Sequence, residues 1–312
     1  MRFFVTMPLP EPGMTLLREA GTVVVPERSP DLAAVCASGE YDVVVAQLTD
    51  VFDAAVLAGA RLRGISNYAV GYDNIDVAAA TRRGIRVCNT PSVLTDATAD
   101  VAMLLILATA RRCVEADAFV RAGRFTGWEP SLLLGGDVSG AALGLAGFGR
   151  IARAVARRAL GFGMTVRCTS RRPVDEPGVE RVDWDELVAR SDFLSLHVPL
   201  TAETRHLVDA SVLRRMKRSA ILINTARGPI VDERALVEAL RNGEIAGAGL
   251  DVYEDEPRPA PGLADLPNTT LLPHVGSATR SVRAKMAESC ARNAIALAAG
   301  EAVRVVNPEA AA

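Results

Sequence analysis

The chain has no surplus of charge of either sign. Its 35 Lys and Arg residues stand against 37 Asp and Glu, a formal net charge of −2 over 312 residues. Without a basic surplus, nucleic acid and acidic membrane surfaces drop out as default partners, and any anion recognition must be local. Cysteine is sparse and scattered: five residues, at 36, 88, 113, 168 and 290, an odd number with no two close together. Disulfide frameworks and metal sites need clustered spacing. These five are expected to be reduced core thiols of a cytoplasmic protein, with no metal site. No apolar run approaches the roughly 20 residues of a membrane span. The longest, "VAMLLILATA" (101–110), stops between Asp100 and Arg111–Arg112 and suits a buried helix. The N-terminal "MRFFVTMPLPEPG" has too short an apolar part, broken early by proline, for a signal peptide. Low-complexity linkers and tandem repeats of solenoid length are missing too.

What is present is alternation. "RFFVT", "TVVVP", "YDVVVAQ", "LRGISNY" and "IRVCNT" read as strands, "PLPEPG" as a turn, and the stretches near 50–58 and 76–83 as helices. A long helix is predicted from Thr95 to Ala122, with Asp96 and Thr98 in its first turn and "AGR" at its close. "RFTGWEPSLLLGGDVSGA" then reads as an ordered loop. A second series begins at 142, with strands at "ALGLAG", "TVRCTS", "FLSLHVP", "AILINTA", "IAGAGLDV" and "TTLLP". Helices are expected near 150–160, 184–190, 209–216 and 232–242, and a last one over 279–299. The βαβ rhythm predicts parallel sheets. Two doubly wound α/β units, with a substrate cleft between them, are the economical reading of this length.

"LGLAGFGRIARA" (143–154) places G-x-G-x-x-A directly after a strand and at the start of a helix. The first glycine, Gly147, permits the tight turn, and the second, Gly149, admits a pyrophosphate to the backbone. Ala152 stands where a third glycine would let helix and strand pack closely, an accepted variant. Exposed N–H groups and the positive helix end would hold phosphates. About 20 residues on, a carboxylate normally binds the ribose 2′-hydroxyl. Here the strand ends in Thr169-Ser170-Arg171-Arg172. A hydroxyl and two guanidiniums suit a 2′-phosphate, so NADP(H) is preferred over NAD(H).

Only three histidines occur, at 197, 206 and 274. His197 and His274 fall at strand ends, where ligands of doubly wound sheets collect, and His206 stands where a helix is expected to begin. Arg227 follows the strand in "ILINTARGPIVDE", and Asp251 and Glu256 follow the one in "GLDVYEDEP". Arg can clamp a carboxylate with two parallel hydrogen bonds. Glu beside His can orient the imidazole and make it a better proton carrier near neutral pH. A hydride-carrying cofactor, a proton carrier and a carboxylate clamp together describe interconversion of a 2-hydroxy acid and a 2-oxo acid.

Seven ordered segments carry a resemblance: "VGYDNID" (70–76), "LTDATADVAMLLILATAR" (94–111), "GLAGFGRIARAVARRALGFGM" (144–164), "HVPLTAETRHL" (197–207), "INTARGPIVDERALVEAL" (223–240), "AGLDVYEDEP" (248–257) and "PHVGSAT" (273–279). Over nearly its whole length the chain resembles the D-isomer-specific 2-hydroxyacid dehydrogenases. Within them it is most similar to glyoxylate/hydroxypyruvate and 2-ketogluconate reductases. The resemblance implies a Rossmann-like dinucleotide-binding domain over 98–280. This would be inserted in a flavodoxin-like substrate-binding domain made of 1–97 plus 281–312. It implies Arg227 on the substrate carboxylate and carbonyl, His274 as proton donor with Glu256 as its partner, and carboxylate-binding N–H groups at Val70 and Gly71. It implies cofactor contacts from Thr98, Gly147, Phe148, Gly149, Arg150, Ile151, His197, Val198, Pro199, Thr204, Thr225, Ala226, Asp251 and Gly276, beside Ser170, Arg171 and Arg172. Trp128, in "GWEP", would reach the pocket of a neighbouring subunit, and the helix 95–122 would be the dimerisation element. The length leaves no room for the regulatory domain of the long phosphoglycerate dehydrogenases. Two alternatives stay open: an NAD-dependent dehydrogenase of the same family working oxidatively, and a non-enzymatic dinucleotide sensor. The joint presence of Arg227, Glu256 and His274 argues against the sensor.

Overall fold

The alternating pattern folds into two parallel sheets in the computed structural model, which describes residues 1–311. The chain divides into two compact units. One comprises Met1–Leu94 and the segment from Ser277 onward, the other Thr95–Gly276.

The first unit opens with β1 (Arg2–Val5), α1 (Gly13–Ala20), β2 (Thr22–Val24), α2 (Leu32–Ala37), β3 (Val43–Ala46), α3 (Ala54–Leu57), β4 (Gly64–Asn67), α4 (Val77–Arg82) and β5 (Arg86–Cys88). Its sheet order is β2-β1-β3-β4-β5, parallel throughout. Both faces are covered, which is why the central strands β3 and β4 are buried along their whole length. Phe3, Val5, Val43 and Val45 join one buried cluster, and Phe4, Val44, Ile65 and Val87 another. Asp31, Asp53 and Asp76 cap α2, α3 and α4 by accepting first-turn amide protons. The sequence pattern did not place α1 and α2: α1 starts directly behind Pro8, Pro10 and Pro12, which read as a turn.

The second unit contains α5 (Thr95–Ala110), α6 (Cys113–Arg121), β6 (Ala142–Ala146), α7 (Arg150–Gly161), β7 (Thr165–Thr169), β8 (Val179–Arg181), α8 (Trp184–Arg190), β9 (Phe193–Leu196), α9 (Ala210–Arg215), β10 (Ile221–Asn224), α10 (Glu233–Arg241), β11 (Gly247–Leu250) and β12 (Thr269–Leu271). Its strand order is β12-β11-β10-β9-β6-β7-β8, again all parallel. The order reverses between β6 and β9, so a ligand crevice is expected beyond the carboxyl ends of those strands.

Two local expectations are corrected. The helix predicted over Thr95–Ala122 is two helices, broken at Arg111–Arg112, with Arg112 left-handed at φ 52°. The break comes from the following loop. Gly136 N donates to the Ala110 carbonyl at 2.8 Å, and Arg112 pairs with Glu115 through Nε and Nη2 at 2.9 and 2.7 Å. A Cβ at Gly135 would run into the Ala110 carbonyl, so only glycine lets the loop lie this close. His206 does not begin a helix. It sits in a turn at φ 52°, and α9 starts at Ala210 behind the Asp209 cap.

The chain then returns to the first unit as α11 (Arg280–Ala299). Ala287, Cys290, Ala291 and Ala294 are buried in that unit's cluster, and a Cβ on Gly13 would come within 2.9 Å of Ala287 Cβ. The tail closes the β5 edge: Asn307 Oδ1 accepts from Val87 N, and Asn307 Nδ2 donates to Ile85 O, both at 2.9 Å. All five cysteines are free thiols, buried except Cys113. No helix among the described residues is long and apolar enough to cross a membrane.

Candidate active site

At the reversal point of the second sheet, Gly147 has φ 88°, and a Cβ there would lie 3.0 Å from the His197 carbonyl oxygen and 2.9 Å from Val198 Cγ1. Both the backbone angle and the close approach demand glycine. Gly149 is the N-cap of α7 and offers no side chain to its amides, and the space where its Cβ would stand is open. The first-turn N–H groups of Arg150, Ile151 and Ala152 are therefore left for an anion. Ala152 is fully buried in the apolar cluster with Leu145 and Val155, so the missing glycine is a methyl taken into the core. The Arg153 guanidinium stacks 4.7 Å over the Phe148 ring and pairs with Glu176 at 2.7 Å.

Beyond β7, Ser170 Oγ accepts from Arg172 N at 3.2 Å, and the Ser170 carbonyl accepts from Arg181 Nε at 2.9 Å. Arg171 and Arg172 are exposed. Arg181, at the end of β8, braces this turn, and the sequence reading missed it. Its strand is a three-residue edge with charged residues, defined by its parallel pairing with β7 from Val166–Val179 to Cys168–Arg181. Glu203 is held below its ordinary pKa by the Thr201 hydroxyl first, then by its own backbone, with the Arg171 charge adding to both.

On the other side of the reversal, His197 N donates to Ala146 O at 2.8 Å, and its Nε2 lies 2.9 Å from Ser195 Oγ. The residue is half-buried, and burial around the ring pushes His197 down to about 4, so it is neutral at ordinary pH. Thr204 Oγ1 donates to Pro199 O at 2.6 Å and accepts from Thr201 N at 2.8 Å, tying the loop after β9 into a turn.

The chemical groups gather after β10, β11 and β12. Asn224 shapes the first turn: its Oδ1 accepts from Ala226 N at 3.0 Å, and its Nδ2 donates to Arg227 O at 2.9 Å. Arg227 has extended backbone, and its Nη1 donates to Ala226 O at 2.8 Å. Next to it, Gly228 runs so close to Tyr253 that a Cβ would overlap the Tyr253 carbonyl. Thr225 Oγ1 is buried there without a hydrogen-bond partner among the described residues. After β11, the buried Asp251 accepts from Val275 N and Gly276 N, both at 2.7 Å. Burial raises its pKa, opposed by these two N–H groups. Thr98 Oγ1 donates to Gly276 O at 3.2 Å. Asp251 and Thr98 thus hold the loop that carries His274, itself left-handed at φ 54°.

His274 Nδ1 lies 2.9 Å from Glu256 Oε2, and Tyr253 N donates to Glu256 Oε1 at 3.2 Å. Burial pushes the Glu256 carboxyl up. The hydrogen bond and charge of His274, the Tyr253 amide and the charge of Arg227 together outweigh it and leave Glu256 below its ordinary value. Its side chain is 35 % exposed, so solvent tempers both tendencies. A carboxylate only accepts, so the ring proton facing it sits on Nδ1 and Nε2 points away from the pair. Glu233, which the sequence reading took as an ordinary member of a helix, accepts from two N–H groups of the loop that carries Glu256.

In the first unit, Asn67 Nδ2 donates to Gly71 O at 2.9 Å and Asn89 Nδ2 to Val70 O at 2.7 Å. Carbonyls are tied down, while the Val70 and Gly71 N–H groups donate to no described residue. Trp128 is 81 % exposed. Leu104 on α5, Val114 and Val120 on α6, and Phe125 and Leu134 in the loop after them are exposed as well.

These features fit a dinucleotide: an uncapped helix start behind a glycine turn, open space at Gly149, an unpartnered Thr225 hydroxyl and a cationic turn after β7. The model for "D-isomer specific 2-hydroxyacid dehydrogenase, NAD binding domain" matches residues 103–276. The glyoxylate reductase of Thermococcus litoralis is 48% identical over 96% of this chain and 94% of its own. A solved protein of Thermus thermophilus superposes with a TM-score of 0.90 at 45% identity, covering 96% of this chain and 98% of that one. An NADPH-dependent glyoxylate/hydroxypyruvate reductase of Sinorhizobium meliloti, solved with NADP and malonate, gives 0.89 at 37% identity, covering 98% and 96%.

Proposed function

The chain belongs to the D-isomer specific 2-hydroxyacid dehydrogenase family, and from that premise we propose that it reduces a small 2-oxo acid, glyoxylate or hydroxypyruvate or one similar, to the D-2-hydroxy acid with NADPH. The observation that carries this reading is the His274–Glu256 pair at 2.9 Å, with Arg227 close enough for its charge to act on Glu256. When bound, the nicotinamide supplies a hydride to the carbonyl carbon. His274 Nε2 delivers the proton to the carbonyl oxygen, and anionic Glu256 holds the ring through Nδ1 and stabilises its protonated form. Arg227 grips the carboxylate and stabilises the charge that develops on the oxygen. In the first unit, the N–H groups of Val70 and Gly71 are assigned to the carboxylate.

The α7 N-terminus with Gly147, Phe148, Gly149, Arg150 and Ile151 would hold the pyrophosphate. Thr98, His197, Val198, Pro199, Thr204, Thr225, Ala226, Asp251 and Gly276 would frame the rest of the dinucleotide. Ser170, Arg171 and Arg172, braced by Arg181, would take the 2′-phosphate, which favours NADPH. NADP bound to the Sinorhizobium meliloti relative supports this choice. Glu203 beside Arg171 favours the competing NADH reading, because its charge weakens the site for a phosphate. The exposed apolar side chains of α5, α6 and the following loop, Trp128 among them, support a homodimer formed on that surface.

Turnover of a 2-oxo acid panel with each cofactor, followed as loss of nicotinamide absorbance, tests the reading. A higher kcat/KM with NADPH than with NADH is expected. Arg227→Ala should lower kcat/KM by about 10²- to 10³-fold while the protein stays folded. Near-normal turnover in that variant would overturn the assignment of Arg227, and a strong NADH preference would overturn that of the cofactor.

A further inference from the structure

Glu233 occupies the first turn of α10, where an acidic residue commonly meets solvent and the helix dipole. The capping role is already filled, since Asp232 Oδ1 accepts from Ala235 N at 3.0 Å. Glu233 is instead 3 % exposed. Its Oε1 accepts from Glu254 N, its Oε2 accepts from Ala260 N at 2.8 Å, and Glu254 Oε2 accepts from Glu233 N at 3.4 Å in return. One carboxylate therefore bridges the loop between β11 and β12 on both sides of Glu256. That loop has no regular strand or helix to satisfy its amides; its own turns take the N–H groups of Arg258, Leu263 and Leu266, while those of Glu254 and Ala260 find their acceptors on Glu233. Burying a carboxylate is costly unless it is well bonded. Burial raises the pKa of Glu233, with the Glu254 and Glu256 charges adding and the two amides opposing. The Gly228 backbone also lies close against the start of this loop, at Tyr253 and Glu254.

We propose that Glu233 is a positioning residue of the proton relay: it fixes the 254–260 loop so that Glu256 Oε2 faces His274 Nδ1. This rests on His274 being the proton donor. Glu233 hydrogen-bonds to neither member of the pair; it acts through the loop backbone, and its charge is felt at Glu256 as well. A helix carboxylate thus sets the geometry of a residue on a later loop of the chain. The arrangement complements Asp251, which holds the His274 loop by the same chemistry, two backbone N–H groups on one buried carboxylate.

The test uses the full chain and two substitutions. Glu233→Gln keeps the side-chain size but turns an NH2 group against one of the two N–H donors, releasing one end of the clamp. Its kcat should fall about 10- to 100-fold, the loss typical of a misaligned catalytic group. KM for the 2-oxo acid and Kd for NADPH should stay within about threefold. The alkaline limb of the kcat–pH profile should move to lower pH, in the direction that Glu256→Gln moves it, because either change withdraws the anion that stabilises a protonated ring. A folded Glu233→Gln protein with a lower melting temperature but an unmoved limb would make Glu233 merely structural and overturn the proposal. If Glu256→Gln itself leaves kcat and the limb in place, the relay reading falls and the role of Glu233 with it. Should Glu233→Gln not fold, Glu233→Asp reads the same quantities, being charged but one methylene too short to span both amides.

Discussion

The two units are built alike, as parallel sheets with helices on both faces, yet they organise their functional loops with opposite chemistry. After β4 of the first unit, amide groups of Asn67 and Asn89 donate to the carbonyls of Gly71 and Val70, and the N–H groups of that turn are left over. After β11 and β12 of the second unit, carboxylates of Asp251 and Glu233 accept backbone N–H groups, and the side chains of His274 and Glu256 are left over. The polarity of the clamp decides what a loop can offer. A loop tied by its carbonyls presents donors and suits an anion, and here the clamps are neutral side-chain amides that add no charge to repel one. A loop tied by its amides keeps its donors occupied and surrounds its side chains with negative charge, which favours a protonated imidazole.

Substitutions that reverse each clamp break or sharpen this contrast. The largest effect is expected in the second unit. Asp251→Asn turns an NH2 group against Val275 N or Gly276 N and leaves a buried donor unsatisfied, costing about 1–3 kcal/mol of stability. It should lower kcat by about 100-fold through displacement of His274, with little change in KM. Stopped-flow and steady-state kinetics on the folded variant separate the two, and a rise in KM with kcat intact would make the contrast wrong. In the first unit, Asn89→Ala releases the Val70 carbonyl. KM for the 2-oxo acid should rise about five- to tenfold, about 1 kcal/mol, with kcat within about twofold of the parent. An unchanged KM would remove the Val70–Gly71 turn from substrate binding.

The smallest effect concerns a group of the second unit that carries no charge. His197 is depressed to about 4 by burial, against about 6.5 for an unperturbed histidine. The unfolded chain therefore binds more protons at this position between those values. The contribution of neutral His197 to stability is present in full above about pH 6.5 and is lost as pH falls toward about 4. Melting temperatures measured from about pH 7 down to about pH 4.5 should fall less steeply in His197→Phe than in the parent. Parallel slopes would contradict a neutral, buried ring.

Several parts of this architecture were legible in sequence because they rest on local rules. The strands stand out as short apolar runs, and Gly147 and Gly149 mark the turn between β6 and α7 by the conformations and close approaches that glycine alone allows. His274, Glu256 and Arg227 announce themselves as charged or titratable groups just beyond apolar strands, and the structure brings His274 and Glu256 into hydrogen-bond contact. What escaped depends on partners distant in the chain. The break at Arg112 is imposed by a later loop that takes the Ala110 carbonyl. Helices α1 and α2 hid behind proline or in short, weakly patterned segments, and β8 in a charged edge strand. Arg181 and Glu233 carry no local mark, because an exposed arginine and a first-turn glutamate look alike whether or not they hold a backbone 11 or 21 residues away.

Sequence by itself determined most of the strands and the longer helices, the parallel α/β class and the residue types of the reacting groups, since periodicity, glycine conformation and side-chain chemistry are properties of short segments. Only the tertiary structure decided which polar groups are clamps and which remain available. A buried hydrogen bond is defined by the partner that reaches it, and here the partners of the Val70, Glu256 and His274 loops arrive from other strands and helices of the same unit.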